Sequence, residues 1–195
     1  MKTVKFFVAA LAAGMLFVNA AKKPTPVKVD VAKSSVIWLG KKVTGEHSGT
    51  IALKDGQLIL DGGKLVGGNF TMDMKTLKVT DVKDEKMNAK LKGHLENDDF
   101  FSVATHPTST LKITKVTPKG GNNYEVTGDL TIKGKTNPVT FPATVDPKTG
   151  VGTAKIKIDR AKYDIRYGSK SFFDNLGDKA INDDFELDVN LATTK

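Results

Sequence analysis

The sequence predicts an all-β fold, a barrel or a sandwich, in which one helix interrupts eight or nine strands. Apolar and polar residues alternate strictly over Tyr124–Ile132 and again over Val139–Val145, while one segment near residues 81–97 repeats its apolar residues every four positions. A period of two places alternate side chains on opposite faces of a strand. Such apolar faces must be buried against a second sheet or around a closed barrel. Many short, closely spaced strands are typical of either arrangement.

The N-terminus has the pattern of a secretory signal peptide. Lys2 and Lys5 precede the apolar run Phe6–Val18, and small residues follow at Val18-Asn19-Ala20. This run is shorter than the about 20 residues of a membrane span. We therefore predict a signal peptide over residues 1–20 and a periplasmic or secreted protein. The stretch AKKPTPVK at 21–28 is predicted to be a flexible leader, and 29–195 a single domain.

Strands are predicted in order from Val36 onward. The first spans 36–43 and carries the only tryptophan, and the next two span 47–53 and 57–60. The Asp55-Gly56 dipeptide between these two predicts a hairpin turn. A turn is also predicted at Asp61-Gly62-Gly63, followed by a strand within 64–75.

The segment 81–97 is predicted to be an amphipathic helix. Met87, Leu91 and Leu95 are four residues apart, which is the spacing of one helical face. Asp81 is the expected N-cap, since its carboxylate can accept a hydrogen bond from the first turn. This is the single long helix that the sequence predicts.

Strands resume after the helix and continue to the end of the chain. They are predicted at 108–117, 124–132, 139–145, 152–159 and 185–191, with a corner at Lys135–Pro138 between the second and third of these. The intervening segment 160–184 is rich in aromatic, Gly and Asp residues. It is predicted to be a long loop with a short helical turn near 171–176.

Composition excludes several classes of protein. The chain has no cysteine, so its stability must come from a hydrophobic core and not from disulfides. Its formal net charge is +8 and becomes +6 without Lys2 and Lys5. Nearly all cations are lysines on the polar side of strands, without the clustered arginines and interleaved aromatics of a nucleic-acid site. We predict no nucleic-acid partner.

Residues suited to catalysis are sparse. His47, His94 and His106 lie in separate segments, without a zinc-binding spacing and without cysteine ligands. No Gly-x-Ser-x-Gly elbow and no phosphate-binding glycine loop is present. The sequence thus predicts no catalytic residues and no metal ligands. A metal-dependent or other enzyme that uses these histidines stays an alternative, as does an interaction module with a filled core.

Apolar side chains lie on nearly every predicted strand. Their alternation identifies them as interior residues, but the pattern alone does not separate a filled core from a chamber. The neighbouring Met72 and Met74 are adaptable side chains that suit either arrangement.

Five blocks of sequence resemble the YceI-like polyisoprenoid-binding family. They are KKVTGEHSGTIALKDGQL at 41–58, LVGGNFTMDMKTL at 65–77, LKGHLENDDFFSVATHP at 91–107, VTGDLTIKGKTNPVTFP at 126–142, and the closing segment 158–192. The resemblance implies an extended, lipocalin-like antiparallel barrel of eight strands. It also implies an apolar tunnel that holds a long isoprenoid or a similar amphiphilic chain, with no catalytic set.

The resemblance and the strand parity together predict the residues that contact the ligand. They are Trp38, Phe70, Met72, Met74, Leu91, Leu95, Phe100, Phe101, Leu111, Ile113, Leu130, Ile132, Phe141, Ile156, Ile158, Phe185 and Leu187.

The expected function is therefore carriage, sequestration or storage of a lipid, without a cofactor other than that ligand. Transient contact with a membrane surface is an expected partner interaction, because exposed lysines are attracted to anionic lipids. The sequence leaves open the identity of the lipid, the direction of transport, the formation of a homodimer, and any contact of the three histidines with a head group.

Overall fold

The computed structural model describes residues 23–194, so the predicted signal peptide at 1–20 lies outside the described residues. The described chain is mostly β-structure with one α-helix. The strands are β1 (Thr25–Lys28), β2 (Ser35–Lys42), β3 (Gly45–Asp61), β4 (Lys64–Val79), β5 (Thr108–Pro118), β6 (Asn123–Ile132), β7 (Lys135–Asp146), β8 (Val151–Asp159) and β9 (Ile181–Ala192), and the helix is α1 (Glu85–Glu96).

Strands β2 to β9 close into an eight-stranded antiparallel barrel. Each pairs with its neighbour in the chain, with the α1 crossover lying between β4 and β5, and β9 returns to pair with β2. The predicted eight-stranded barrel is confirmed. Closure leaves no sheet edge along most of the wall, and it directs one face of every strand inward.

Strand β1 lies outside the eight strands of the barrel, and it shows that residues 25–28 of the predicted leader at 21–28 are ordered in the sheet. Residues 25–28 form β1, which pairs antiparallel with Leu60 to Gln57 of β3. Strand β3 is long enough to pair with β2 through its first half and with β1 through its second half, on the same edge. Pro26 is tolerated within β1 because β1 is a short edge strand, and Pro24 lies just before it.

The predicted hairpin at Asp55-Gly56 is wrong, because β3 runs without interruption from Gly45 to Asp61. A tight hairpin of that kind needs left-handed residues at the turn, and neither Asp55 nor Gly56 has a positive φ. The strand is irregular there, with a register shift against β4 between Leu53 and Asp55. The predicted turn at Gly62-Gly63 is present, with φ of 56° and 83°.

The turn between β6 and β7 lies at Lys133-Gly134 and not at the predicted corner Lys135–Pro138. Both turn residues have positive φ, 51° and 72°, as a two-residue hairpin requires. Pro138 therefore lies inside β7, opposite Asp129 of β6.

Helix α1 is shorter than the predicted 81–97, and its N-cap is Asp84 instead of Asp81. The Asp84 carboxylate accepts a hydrogen bond from Met87 N at 2.8 Å. Asp81 instead binds β3, where it accepts from Ser48 N at 3.1 Å and lies 2.8 Å from His47 Nδ1. Of the predicted apolar face, Met87 is 67% exposed, whereas Leu91 and Leu95 are half-buried.

The segment between β8 and β9 contains 3₁₀ turns at Arg160–Tyr163 and Gly177–Lys179. The helical turn predicted near 171–176 is displaced toward the N-terminus. It is a hydrogen-bonded turn in which Phe172 N and Phe173 N both donate to Ser169 O, at 3.2 and 3.0 Å.

Candidate functional site

The barrel contains an apolar cavity with a volume of about 200 Å³. A single water molecule needs about 10–15 Å³ of such space, so the interior is not packed like an ordinary core. The lining consists almost entirely of aliphatic and aromatic side chains from all eight barrel strands and from the segment after α1. The structure therefore resolves the choice, left open by strand parity, in favour of a chamber.

The partial exposure of side chains that face into the barrel also indicates a hollow interior. Phe185, Leu187 and Val189 of β9 have the inward parity and line the cavity, yet they are only partly buried. In contrast, Ile156 and Ile158 of the neighbouring β8 are 7% and 2% exposed. Half-exposed side chains on an inner face mean that open volume lies next to them.

All the predicted ligand-contacting residues except Leu91 line this cavity. The structure thus brings side chains from the whole length of the chain, from Trp38 to Leu187, around one space. Leu91 is half-buried on α1, which contacts β4, and it does not line the cavity. One turn later, Leu95 does line it.

Sequence reasoning missed several cavity residues that strand parity does identify. Val36 has the parity of Trp38, and Val126 that of Leu130, so extending the same alternation would have found both. The other aliphatic residues that parity identifies are Ile51, Leu53, Val139, Ala143, Val145, Ala154, Ile181, Val189 and Leu191. Parity does not find Leu58, Leu65 and Leu77, because register shifts between β3 and β4 change which positions face inward.

Arg160 is the important polar residue at the cavity that the sequence did not indicate. Its side chain is buried, with a residue exposure of 3%, at the end of β8. The guanidinium donates to four carbonyl oxygens, those of Ile165 (3.0 Å), Tyr167 (2.8 Å), Ile181 (3.1 Å) and Asn182 (3.0 Å). These bonds attach the 164–181 segment to the start of β9.

Asp183 completes the electrostatic pairing of this arginine. Its Oδ1 lies 3.4 Å from Arg160 Nη2, and its Oδ2 accepts from Ser171 Oγ at 2.7 Å. Burial works to raise the pKa of Asp183, but the hydroxyls of Ser169 and Ser171 and the Arg160 charge outweigh it and hold the pKa below its usual value. Burial lowers the pKa of Arg160, whereas Asp183 opposes that change. Four of the five guanidinium N–H groups donate to carbonyl oxygens, whereas Asp183 Oδ1 lies 3.4 Å from Nη2 without accepting a hydrogen bond.

Aromatic side chains cover the cavity at the helix end of the barrel. Phe100 is 7% exposed and lies 6.0 Å from the rings of both Phe101 and Tyr167. His94 makes edge-to-face contacts with Phe100 and Tyr167, at 5.2 and 4.3 Å between ring centres. The Arg160 guanidinium lies over the Phe100 ring at 5.6 Å.

The opposite end is closed by buried side chains near the β3–β4 and β7–β8 turns. Leu58, Leu65, Tyr124 and Val145 are each 3–4% exposed. The Tyr124 hydroxyl accepts a hydrogen bond from Leu65 N at 3.3 Å. This bond satisfies the one polar group of that aromatic ring where it is buried.

The three histidines named as alternative catalytic or metal-binding residues lie in different surroundings. His47 binds Asp81, His94 packs against aromatic rings, and His106 lies beside the Gly134 turn. Across the described residues, no three His, Cys, Asp or Glu side chains come together in a way that would hold a metal ion. Within residues 23–194, no helix has both the length and the apolar character needed to span a bilayer.

Comparison with solved structures agrees with this architecture. The crystal structure of Burkholderia cenocepacia BcnA superposes with a TM-score of 0.66 and 26% identity, covering 86% of this chain and 99% of that one. A polyisoprenoid binding domain from Saccharophagus degradans superposes with a TM-score of 0.56 over 87% of this chain and 97% of that one. Its identity of 12% shows a shared fold alone.

Curated relatives are found in several bacteria. A UPF0312 protein of Vibrio parahaemolyticus is 34% identical over 125 residues, which is 55% of this chain and 65% of the relative. One from Azotobacter vinelandii is 32% identical over 95 residues, 49% of this chain and 47% of the relative. The matched region thus spans about half to two thirds of the length of these relatives.

The family model described as the YceI-like domain matches residues 27–193, which is nearly the whole described structure. The sequence blocks, the closed eight-stranded barrel and this match agree. The chain belongs to the YceI-like domain family.

Proposed function

We propose that this protein is exported and binds the hydrocarbon chain of one long amphiphilic lipid, an isoprenoid or a similar molecule, in the barrel cavity. The observation that carries the proposal is the apolar, incompletely filled interior. A filled-core interaction module would have no reason to keep about 200 Å³ of open volume lined by apolar side chains.

The physical driving force is the transfer of hydrocarbon from water into this cavity. Burial contributes about 0.8 kcal/mol for each CH₂ group, so a five-carbon isoprene unit contributes about 4 kcal/mol. Part of that gain is offset by the cost of immobilising the chain. Affinity is therefore expected to rise with the number of units until the cavity is full.

The polar groups around the cavity support binding without chemistry. Ser109 donates its hydroxyl hydrogen to Thr131 O at 2.8 Å, and the Arg160 donors are directed at backbone carbonyls. These groups are engaged in holding the barrel together, so they are not free to act as a nucleophile or a general acid. The polyisoprenoid-binding description of the Saccharophagus degradans domain, which shares this fold, points to the same class of ligand. Carriage, sequestration or storage follows as the biological role.

Solvent extraction of the purified protein, followed by mass spectrometry of the extract, tests the proposal. We expect about one long-chain lipid per protein, and an extract without lipid from protein that also fails to take up added prenyl lipid would contradict it. The Phe141→Asp variant should lose this lipid because it introduces a carboxylate into the cavity wall. Lys155→Ala, an exposed change on the outer face of β8, should retain it in native mass spectrometry.

A further inference from the structure

The number of paired residues between adjacent strands varies around the barrel wall. Strands β7 and β8 share only four residue pairs, Ala143–Asp146 with Val151–Ala154. Their neighbours are joined far more extensively: β6 and β7 share ten pairs, and β8 and β9 share nine. From Thr136 to Pro142, about 20 Å of β7 faces β8 without ladder pairing. We call this stretch, together with residues 155–159 of β8, the β7–β8 seam.

Two prolines explain why the seam does not close. On the β6 side of β7, Val145 N donates to Asn122 O, whereas on the β8 side Asp146 O accepts from Gly150 N. Even-numbered residues of β7 therefore direct their backbone groups toward β8. Pro138 and Pro142 occupy two of these positions and have no N–H to donate, so a continuous ladder is impossible there.

The seam is fastened at both ends: at its upper end, next to Ala143, by the four-pair β7–β8 ladder, and at its lower end by one side-chain hydrogen bond. At its upper end, the hydroxyls of Thr144 and Thr153 are 2.6 Å apart. At its lower end, Asn137 Nδ2 donates to Lys162 O at 2.9 Å. The cavity borders the whole seam between these points, on Val139 and Phe141 of β7 and on Ile156 and Ile158 of β8.

Other routes into the cavity are better closed. The helix end is covered by Phe100, and the segment above it is held by four hydrogen bonds from Arg160. Strands β4 and β5 share only five pairs, which leaves a second unpaired stretch in the wall. The buried side chain of Tyr124 lies behind that stretch, where its hydroxyl accepts a hydrogen bond from Leu65 N. The β7–β8 seam has no such hydrogen-bonded side chain behind it among the described residues.

We propose that the lipid chain enters and leaves sideways through the β7–β8 seam, which opens when β7 and β8 separate between their two fasteners. This inference rests on the proposed lipid-binding function. A lateral route lets a flexible chain slide in along its length, and it leaves both capped ends of the barrel intact. Opening the seam breaks few hydrogen bonds, because the prolines have already removed donors from it.

A reversible cross-link across the seam tests the route. Continuing the β7–β8 register places Thr140 opposite Lys157, both exposed, and the chain has no native cysteine. The Thr140→Cys/Lys157→Cys variant would be closed as a disulfide, or with a cleavable bismaleimide where the two sulfurs are too far apart. The control is Lys157→Cys/Glu186→Cys, which joins the same position of β8 to its fully paired neighbour β9.

Uptake of a benzoquinone with a four-unit prenyl chain would be followed by stopped-flow fluorescence of Trp38. This residue is the only tryptophan and lines the cavity, so the quinone should quench it. We expect the seam cross-link to slow both uptake and release at least tenfold, with recovery on reduction, and the control cross-link to leave both rates within twofold. Asn137→Ala, which removes the lower fastener, should speed uptake.

Equal rates with and without the seam cross-link would overturn the proposed route while leaving lipid binding intact. Absence of quenching, together with absence of bound quinone by mass spectrometry, in the uncross-linked protein would instead contradict the proposed function itself. If the control cross-link slows uptake and release as much as the seam cross-link does, the seam is also excluded as the entry route.

Discussion

Arg160 Nη2 lies 3.4 Å from Asp183 Oδ1, beneath the segment that joins β8 to β9. The same guanidinium donates to carbonyls at both ends of that segment, Ile165 and Tyr167 at its start and Ile181 and Asn182 at its end. One buried side chain therefore organises the covering of the cavity at the helix end. Its role is structural, since its donors are directed at backbone oxygens.

Replacement of Arg160 should destabilise the protein strongly. Arg160→Met leaves the partly buried Asp183 carboxylate and four carbonyls without their partner, and breaking a buried pair in this way costs about 3–5 kcal/mol. Arg160→Lys should also lose stability, because one ammonium group cannot reach four carbonyls. Urea unfolding measures both changes.

Arg166→Met provides the matched control for Arg160. Arg166 is exposed on the same segment, where it pairs with Asp164 and lies over the Phe172 ring at 5.0 Å. Its loss should cost less than about 1 kcal/mol, as for other surface pairs. Equal destabilisation by the two methionine variants would contradict the organising role of Arg160.

Asp183 should make stability depend on pH in the acid range. Its folded-state pKa lies below the usual value of 3.8, because hydrogen bonds and the Arg160 charge outweigh burial. A lowered carboxyl pKa adds stability that is fully present above about pH 4 and is lost as the pH falls through the folded-state pKa. Asp183→Asn should therefore be less stable than the wild type at pH 6, with the difference shrinking toward pH 2.

Unfolding of the wild type and Asp183→Asn at a series of pH values measures this effect. Asp174→Asn, an exposed change on the same segment, serves as the control. A constant difference between wild type and Asp183→Asn from pH 6 to pH 2 would show that the carboxylate charge is not involved.

Filling the cavity from a small residue should reduce lipid binding without unfolding the barrel. Ala154 of β8 lines the cavity and is only partly buried, so Ala154→Phe places a ring in open volume. We expect at least a tenfold loss of affinity for a prenyl lipid, measured by Trp38 fluorescence. Lys155→Phe adds a ring at the next position, on the outer face, and should bind normally. Similar affinity in both variants would mean that the cavity does not hold the lipid.

Gly49 should be intolerant of a side chain. A Cβ at this position would lie 1.8 Å from Lys78 O and 2.7 Å from the Trp38 ring, which itself donates to that carbonyl. Because backbone has to move, Gly49→Ala should cost more than about 2 kcal/mol. A Cβ at Gly93 in α1 would have no atom within 4 Å, so Gly93→Ala should stabilise by about 0.5–1 kcal/mol. Thermal unfolding of both variants measures whether each substitution lowers or raises the stability of the protein.

Sequence periodicity predicted the inner face well and the connections poorly. Alternation in β6 identifies Leu130 and Ile132 as interior residues because inward and outward positions are set by strand geometry alone. The Asp55-Gly56 dipeptide predicts a turn locally, yet β3 continues through it because both residues pair with β4 and Val29 N donates to Gly56 O on the other edge. Asp84, and not the predicted Asp81, caps the helix. The Asp81 carboxylate instead contacts His47 and Ser48, which are distant in sequence.

By itself, the sequence determined the strand faces, helix α1 and the family, because those depend on local periodicity and on ordered blocks of residues. Tertiary structure alone decided that the interior is hollow and that Arg160 holds the segment between β8 and β9. It also decided that the pairing between β7 and β8 ends at Ala143 and Ala154. These features depend on how far apart the paired strands lie and on which distant carbonyls surround a side chain. Pro138 and Pro142 are visible in the sequence, but only the direction of their neighbours' hydrogen bonds shows that they face β8.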